Sequence, residues 1–148
     1  MKIADVQTLF YAVDSTSDQH AIAAGWLEDA INAREALGLT WPTIFQFLRL
    51  GTNPAFPGYM TDAEALSWVE EWVEAGVEVI SDSDLRWDLL RELIGVSPRT
   101  ICNTIDDAHL AGVAISRGAT LASFDSGFAC FVGSGLRWER LGAGVTSA

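Results

Sequence analysis

The sequence predicts an α/β fold in three layers, a parallel sheet of four to five strands flanked by helices. Three observations lead there. Short apolar runs bounded by turn residues alternate with longer segments of helical period along the 148 residues, as in strand–helix units joined by right-handed crossovers. Two of the short runs lead into an aspartate, KIA into Asp5 and ATLASF into Asp125. A helix that opens on Asp106 and Asp107 precedes the second run. In a parallel sheet, strand carboxyl ends and helix N-termini face one crevice, so these acids are expected to meet there.

The elements follow in order. Residues 2–4 read as a buried strand that Asp5 ends. Val6–Val13 reads as a short apolar helix, and DSTSD, residues 14–18, as a turn rich in N-cap residues. Gln19–Ala36 has helical period, with Ile22, Trp26, Ala30 and Ala33 near one face. Leu37–Thr40 is a second strand. Pro42 suits a first helical turn, and Pro42–Leu50 is apolar on most sides, with Gln46 and Arg49 as the polar exceptions. Such a helix is buried or lies at an interface. GTNPAFPG, residues 51–58, is a loop. Thr61 and Glu64 form a capping box for a helix that Gly76 ends. Residues 77–80 read as a third strand. Ser83 is placed to cap a helix over Asp84–Ile94, and a connection carrying Arg99 follows. Thr104–Arg117 is a helix whose Ala108, Ala111, Gly112 and Ile115 let it lie close to the sheet. Residues 119–124 are a fourth strand, Ser126–Phe131 a turn or short helix, and Leu136–Glu139 a fifth, edge strand. One domain is expected over residues 1–141, with a flexible tail at 142–148.

Composition narrows the function. The net charge is −11, unlike the basic footprint of a general nucleic-acid binder, but active-site acids count in that sum. The same charge favours a basic partner. Lys2 is the only lysine. Chemistry that needs a lysine deeper in the chain is excluded, and with it a phosphoreceiver-like acid pocket. Cys102 and Cys130 fit no metal spacing and read as reduced packing residues. No HExxH, CxxC, GxxxxGK[ST] or GxSxG pattern occurs. His20 and His109 read as structural or solvent-facing, and the six tryptophans mainly as packing. No apolar run approaches a membrane span, and the N-terminus lacks the form of a signal peptide, so a cytoplasmic protein is expected.

Each acid alone has an ordinary explanation, as a helix cap, a turn signal or a favourable partner of a helix dipole. Their joint placement points to chemistry. Three carboxylates without a basic partner repel one another, and a divalent cation resolves that repulsion. Carboxylate oxygens suit Mg²⁺ or Mn²⁺. One or two such ions would activate a water for in-line attack on a phosphodiester. Asp5, Asp125 and one of Asp106 and Asp107 are the expected ligands, because neighbouring helix side chains point about 100° apart and only one of that pair is expected to face the crevice.

Four motifs occur in order: MKIADVxxLxYA at the start, FLRLxTNP at residues 47–54, NxxxDAHLA at 103–111 and GATLxSxDxxFAxF at 118–131. Together they resemble the PIN-domain ribonuclease toxins of the VapC family, over nearly the whole chain. The resemblance implies a PIN-like fold and a Mg²⁺- or Mn²⁺-dependent endoribonuclease, the toxin of a type II toxin–antitoxin system. It also implies a VapB-like antitoxin as partner, an RNA substrate and a homodimer. The family's acids match Asp5, Asp107 and Asp125, and Asn103 matches a polar residue before the third motif. Gln46 stands where many members carry a glutamate, Gln7 where a small polar residue is usual, and Gly127 breaks a D-x-D-F pattern. Gln46 and Arg49 are expected at the crevice or on the substrate. The alternative is a catalytically degenerate PIN-like binding module that acts only through its antitoxin complex.

Overall fold

The computed structural model describes residues 1–98 and 104–142. Arg99, Cys102, Asn103 and the tail beyond Gly142 lie outside the described residues. The elements are β1 (Lys2–Ala4), α1 (Val6–Val13), α2 (His20–Asn32), β2 (Leu37–Thr40), α3 (Trp41–Gly51), α4 (Asp62–Glu74), β3 (Glu78–Ile80), α5 (Trp87–Val96), α6 (Thr104–Ser116), β4 (Thr120–Ser123), a 3₁₀ helix (Ser126–Ser134) and β5 (Arg137–Arg140).

All described strand pairs are parallel, and the order is β3-β2-β1-β4-β5. The chain winds from central β1 out to β3, then crosses to the other side of β1 for β4 and β5. The order therefore reverses between β1 and β4, and a parallel sheet opens into a crevice at that point. Pairing of Ala4 with Ala122 sets the register there. It brings Asp5, one residue past β1, level with the end of β4.

Side chains alternate across the sheet. Ile3 and Leu121 join one core with Leu93, Val113 and Phe128, beneath α5, α6 and the 3₁₀ helix. Ala4, Leu37 and Leu39 join the other with Leu9, Phe47 and Trp72, beneath α1 to α4. Gly38 permits close packing in β2, because a Cβ there would sit 3.0 Å from Ile80.

Two helices depart from the sequence reading. α2 stops at Asn32 instead of Ala36, with Ala33 already extended. Residues 33–36 have ordinary helix propensity, but tertiary contacts hold them otherwise. The Met1 ammonium pairs with Glu35 at 2.6 Å, and Lys2 N–H donates to the Ala36 carbonyl at 2.8 Å. α5 begins at Trp87, with Arg86 at its cap position and no side-chain cap. Ser83 does not cap it. Residues 82–85 form a turn closed by Leu85 N–H on the Asp82 carbonyl at 2.9 Å. The capping box of α4 forms as expected, with Glu64 N–H on Thr61 Oγ1 and Thr61 N–H on Glu64 Oε2. Trp72 is buried, but Trp41 and Trp87 are 53% and 69% exposed, so packing does not account for these two. Trp41 stacks instead on Phe45 at a centroid distance of 5.8 Å. No helix among the described residues is long and apolar enough to cross a membrane.

Candidate active site

Asp5 is the N-cap of α1 and is held on both oxygens. Oδ1 accepts from Thr8 N–H at 2.8 Å and from the Thr8 hydroxyl at 2.7 Å. Oδ2 accepts from the Ser123 hydroxyl. Ser123 in turn accepts from Asp125 N–H at 2.9 Å. One serine at the end of β4 thus ties together the two strand-end aspartates. Asp125 caps the 3₁₀ helix by accepting from Gly127 N–H at 2.8 Å. The cap reading and the site reading of these acids are compatible, because capping fixes each carboxylate at the crevice.

The crevice is a cavity of about 710 Å³. Asp5, Asp106, Asp107, Asp125 and Gln46 are among the residues that line it, together with apolar Phe10, Phe56 and Met60. Asp106 is exposed and Asp107 half-buried. Among the described residues no hydrogen bond reaches the Asp107 carboxylate, and no Lys or Arg lines this cavity. Burial first, and then the charges of Asp125, Asp5 and Asp106, push the Asp107 carboxyl up to about 7. Burial also raises Asp5, against the lowering effect of its Ser123 and Thr8 hydrogen bonds.

Arg49 is exposed and does not line the cavity, although it lies one turn from Gln46 on α3. The α3 residues that line the cavity are Pro42, Thr43, Gln46, Leu50 and Gly51. Asn103 lies outside the described residues. His20 bonds the Tyr11 carbonyl at 2.9 Å, and His109, at the crevice edge, sits 3.2 Å from Asp82. Sequence reasoning missed the hydroxyls. Thr8 and Ser123 orient Asp5, and buried Thr40 and Thr43 line the wall, their hydroxyls 2.9 Å apart. The available signals were a threonine three residues after Asp5 and a serine two before Asp125.

The donor set suits a hard cation: carboxylate oxygens, no competing ammonium or guanidinium, and one carboxyl raised by its neighbours. The carboxylates ring the crevice rather than meeting at one point. Among the described residues no three His, Cys, Asp or Glu side chains are gathered closely enough to hold a metal ion.

No protein-family model matches the chain. Over 142 residues it is 33% identical to Ribonuclease VapC37 of Mycobacterium tuberculosis, covering 95% of this chain and 96% of that one. The chain belongs to the VapC family. Ribonuclease VapC33 of the same species is 31% identical, with 93% and 96% covered. Ribonuclease VapC43 is 33% identical, with 94% of each covered. Solved structures match the fold at 16% identity. VapBC2 from Rickettsia felis, bound to a DNA fragment from its promoter, gives a TM-score of 0.68 over 95% of this chain and 98% of that one. VapBC-1 from nontypeable Haemophilus influenzae gives 0.62, over 94% and 96%. The PIN-like α/β architecture expected of a VapC chain is the one observed.

Proposed function

We propose that this VapC-family chain is a Mg²⁺- or Mn²⁺-dependent endoribonuclease, the toxin of a type II pair neutralised by a VapB-like antitoxin. One observation carries the reading. Three carboxylates from distant points of the chain line one crevice at the sheet's reversal point, with no described Lys or Arg lining it to balance them. The names of the relatives support RNA as substrate, and the VapBC complexes among the structural neighbours support the partner.

Asp5, Asp107 and Asp125 are the carboxylates that would hold the cation, drawing together from the positions they take around the crevice. When bound, it supplies a nucleophilic hydroxide near neutral pH and offsets charge on the phosphate oxygens. The chain's own residues position these groups. Thr8 and Ser123 commit Asp5 to one orientation, so it enters the set preorganised. Asp107 has no such commitment among the described residues and takes up or releases a proton near pH 7. Gln46 offers an amide at the rim and brings no charge. Stacked, exposed Trp41 and Phe45 give α3 a protein-contact face, which supports a homodimer.

The second reading, a binding module without cleavage, draws on Gln46 and on carboxylates that are not gathered into one ligand set. The deciding experiment is cleavage of RNA by purified protein with Mg²⁺, with Mn²⁺ and with chelator. Cleavage that chelator and Asp5→Ala each abolish supports the nuclease. No cleavage under any of these conditions, with a tight antitoxin complex, supports the binding module.

A further inference from the structure

A second cavity, of about 400 Å³, opens beside the acid crevice near the carboxyl ends of β4 and β5. Gln7, Tyr11 and Asp125 line both cavities. The second is bordered further by Gln19, Ser126 and Arg140. The charge character of the two differs. Five aspartates and no described Lys or Arg line the first, whereas Arg140 lines the second. No other described Lys or Arg lines either. Lys2 is bridged to Glu139 at 3.0 Å and Arg86 to Asp88 at 3.0 Å. Arg117 and Arg137 donate to the carbonyls of Ser81 and Gly118.

Arg140 forms no ion pair among the described residues. The sheet fixes its backbone beside the acids: it pairs with Ser123 across β4 and β5, and the next N–H, of Leu141, donates to the Ser123 carbonyl at 2.9 Å. Ser123 is the residue that holds Asp5. The Arg140 side chain is exposed, and its guanidinium passes 6.0 Å from the Trp138 ring centroid. That contact leaves its planar set of N–H donors available. Tyr11 accepts from Gln7 Nε2 at 3.2 Å, so its own phenol proton is free to donate.

We propose that this cavity is a phosphate subsite. It takes a backbone phosphate of the RNA strand adjacent to the phosphodiester presented at the acid crevice. Arg140 supplies the charge, and Gln19, Ser126 and Tyr11 supply neutral donors. The proposal rests on the ribonuclease reading above. A chain of net charge −11 repels a polyanion, and a cation held by the acids serves the bond being cut rather than its neighbours. A single arginine at a fixed strand end therefore contributes a large share of the attraction and sets which bond is presented.

The test uses the full chain and a short labelled single-stranded RNA. Binding is read by anisotropy in an Asp5→Asn background, and cleavage in the otherwise native protein. Arg140→Ala should weaken binding about tenfold at low salt and lower the slope of log K against log salt by about 0.7, the value for one phosphate contact on a single strand. Arg140→Lys should restore most of both. In cleavage, Arg140→Ala should raise KM and leave kcat within about twofold, the pattern of lost uniform binding. Unchanged affinity and salt slope overturn the subsite, as does a fall in kcat at constant KM. If native protein does not cleave but Arg140 still sets affinity and slope, the ribonuclease reading fails and the subsite stands. If it cleaves and Arg140 is without effect, the subsite alone fails.

Discussion

At the scale of single residues, the site is a problem of unbalanced charge, and Asp107 carries most of it. Its carboxyl titrates at about 7 in the folded chain against an ordinary 3.8. Between those values the folded chain holds a proton that the unfolded chain has released, so raising the pH through this window destabilises the fold. Above about 7 the effect is complete. Partial exposure makes the total effect smaller than that of a fully buried acid. Melting in chelator should therefore give a Tm that falls from pH 4 to pH 7.5, and Asp107→Asn should flatten that fall while abolishing cleavage. An identical pH profile in the variant would mean that Asp107 does not feel its neighbours. Gln46 tests the same charge from the other side. It lines the same crevice as the aspartates, where a further carboxylate would attract a cation. Gln46→Glu should lower the Mg²⁺ or Mn²⁺ concentration for half-maximal cleavage about tenfold, a change of roughly 1.4 kcal/mol. Gln46→Ala should raise it. If both titrate like the parent, Gln46 does not act on the cation.

At the scale of elements, α6 shows how a helix is seated so that its first turn reaches the crevice. A Cβ on Gly112 would lie 2.6 Å from Leu85 Cδ1 and 3.4 Å from Leu93 Cδ1. The small residue therefore makes room for α5 and the turn before it, not for the sheet as its helical spacing suggests. Gly112→Ala gains about 1 kcal/mol of helix propensity and incurs an overpacking penalty of about 1–3 kcal/mol. The net should be a loss of about 1 kcal/mol in chemical denaturation. In a Leu85→Ala background the clash is gone and the same substitution should stabilise. Additive effects would place the constraint elsewhere. This element also marks the limit of what was legible in the sequence. Periodicity and end signals placed the strands, because a buried parallel strand is a short apolar run with a turn at each end. They did not place the end of α2, where Glu35 and Ala36 obey contacts to Met1 and Lys2 rather than their own propensity. Nor did they show which positions of α3 face the acids. Gln46 and Arg49 are three residues apart, yet only Gln46 lines the crevice, because the axis of α3 relative to the sheet is a tertiary property. The aspartates were legible because each ends or begins an element. The serine and threonines that orient them were not, since a hydroxyl at a strand end has many ordinary uses.

At the scale of the molecule, a net charge of −11 and a crevice lined by five aspartates without a described Lys or Arg favour a basic partner segment over any neutral one. An arginine is the side chain best suited to enter, because its planar donors pair with carboxylates two bonds at a time. Such a segment would compete with the cation for the carboxylate oxygens and block the RNA from the crevice, and inhibition would follow without any change in the fold. Attraction between unlike net charges should also speed association, and added salt should slow it. Titration calorimetry of this chain with the proposed VapB-like antitoxin should therefore show weaker binding for Asp5→Asn and Asp125→Asn. In stopped-flow mixing, salt should act mainly on the association rate. The exposed Trp41 and Phe45 pair on α3 supplies the opposing expectation, because an apolar face attracts a partner with little dependence on salt. Affinity unchanged in both aspartate variants but lost in Phe45→Ala would place the partner on α3 and leave the crevice open to RNA in the complex.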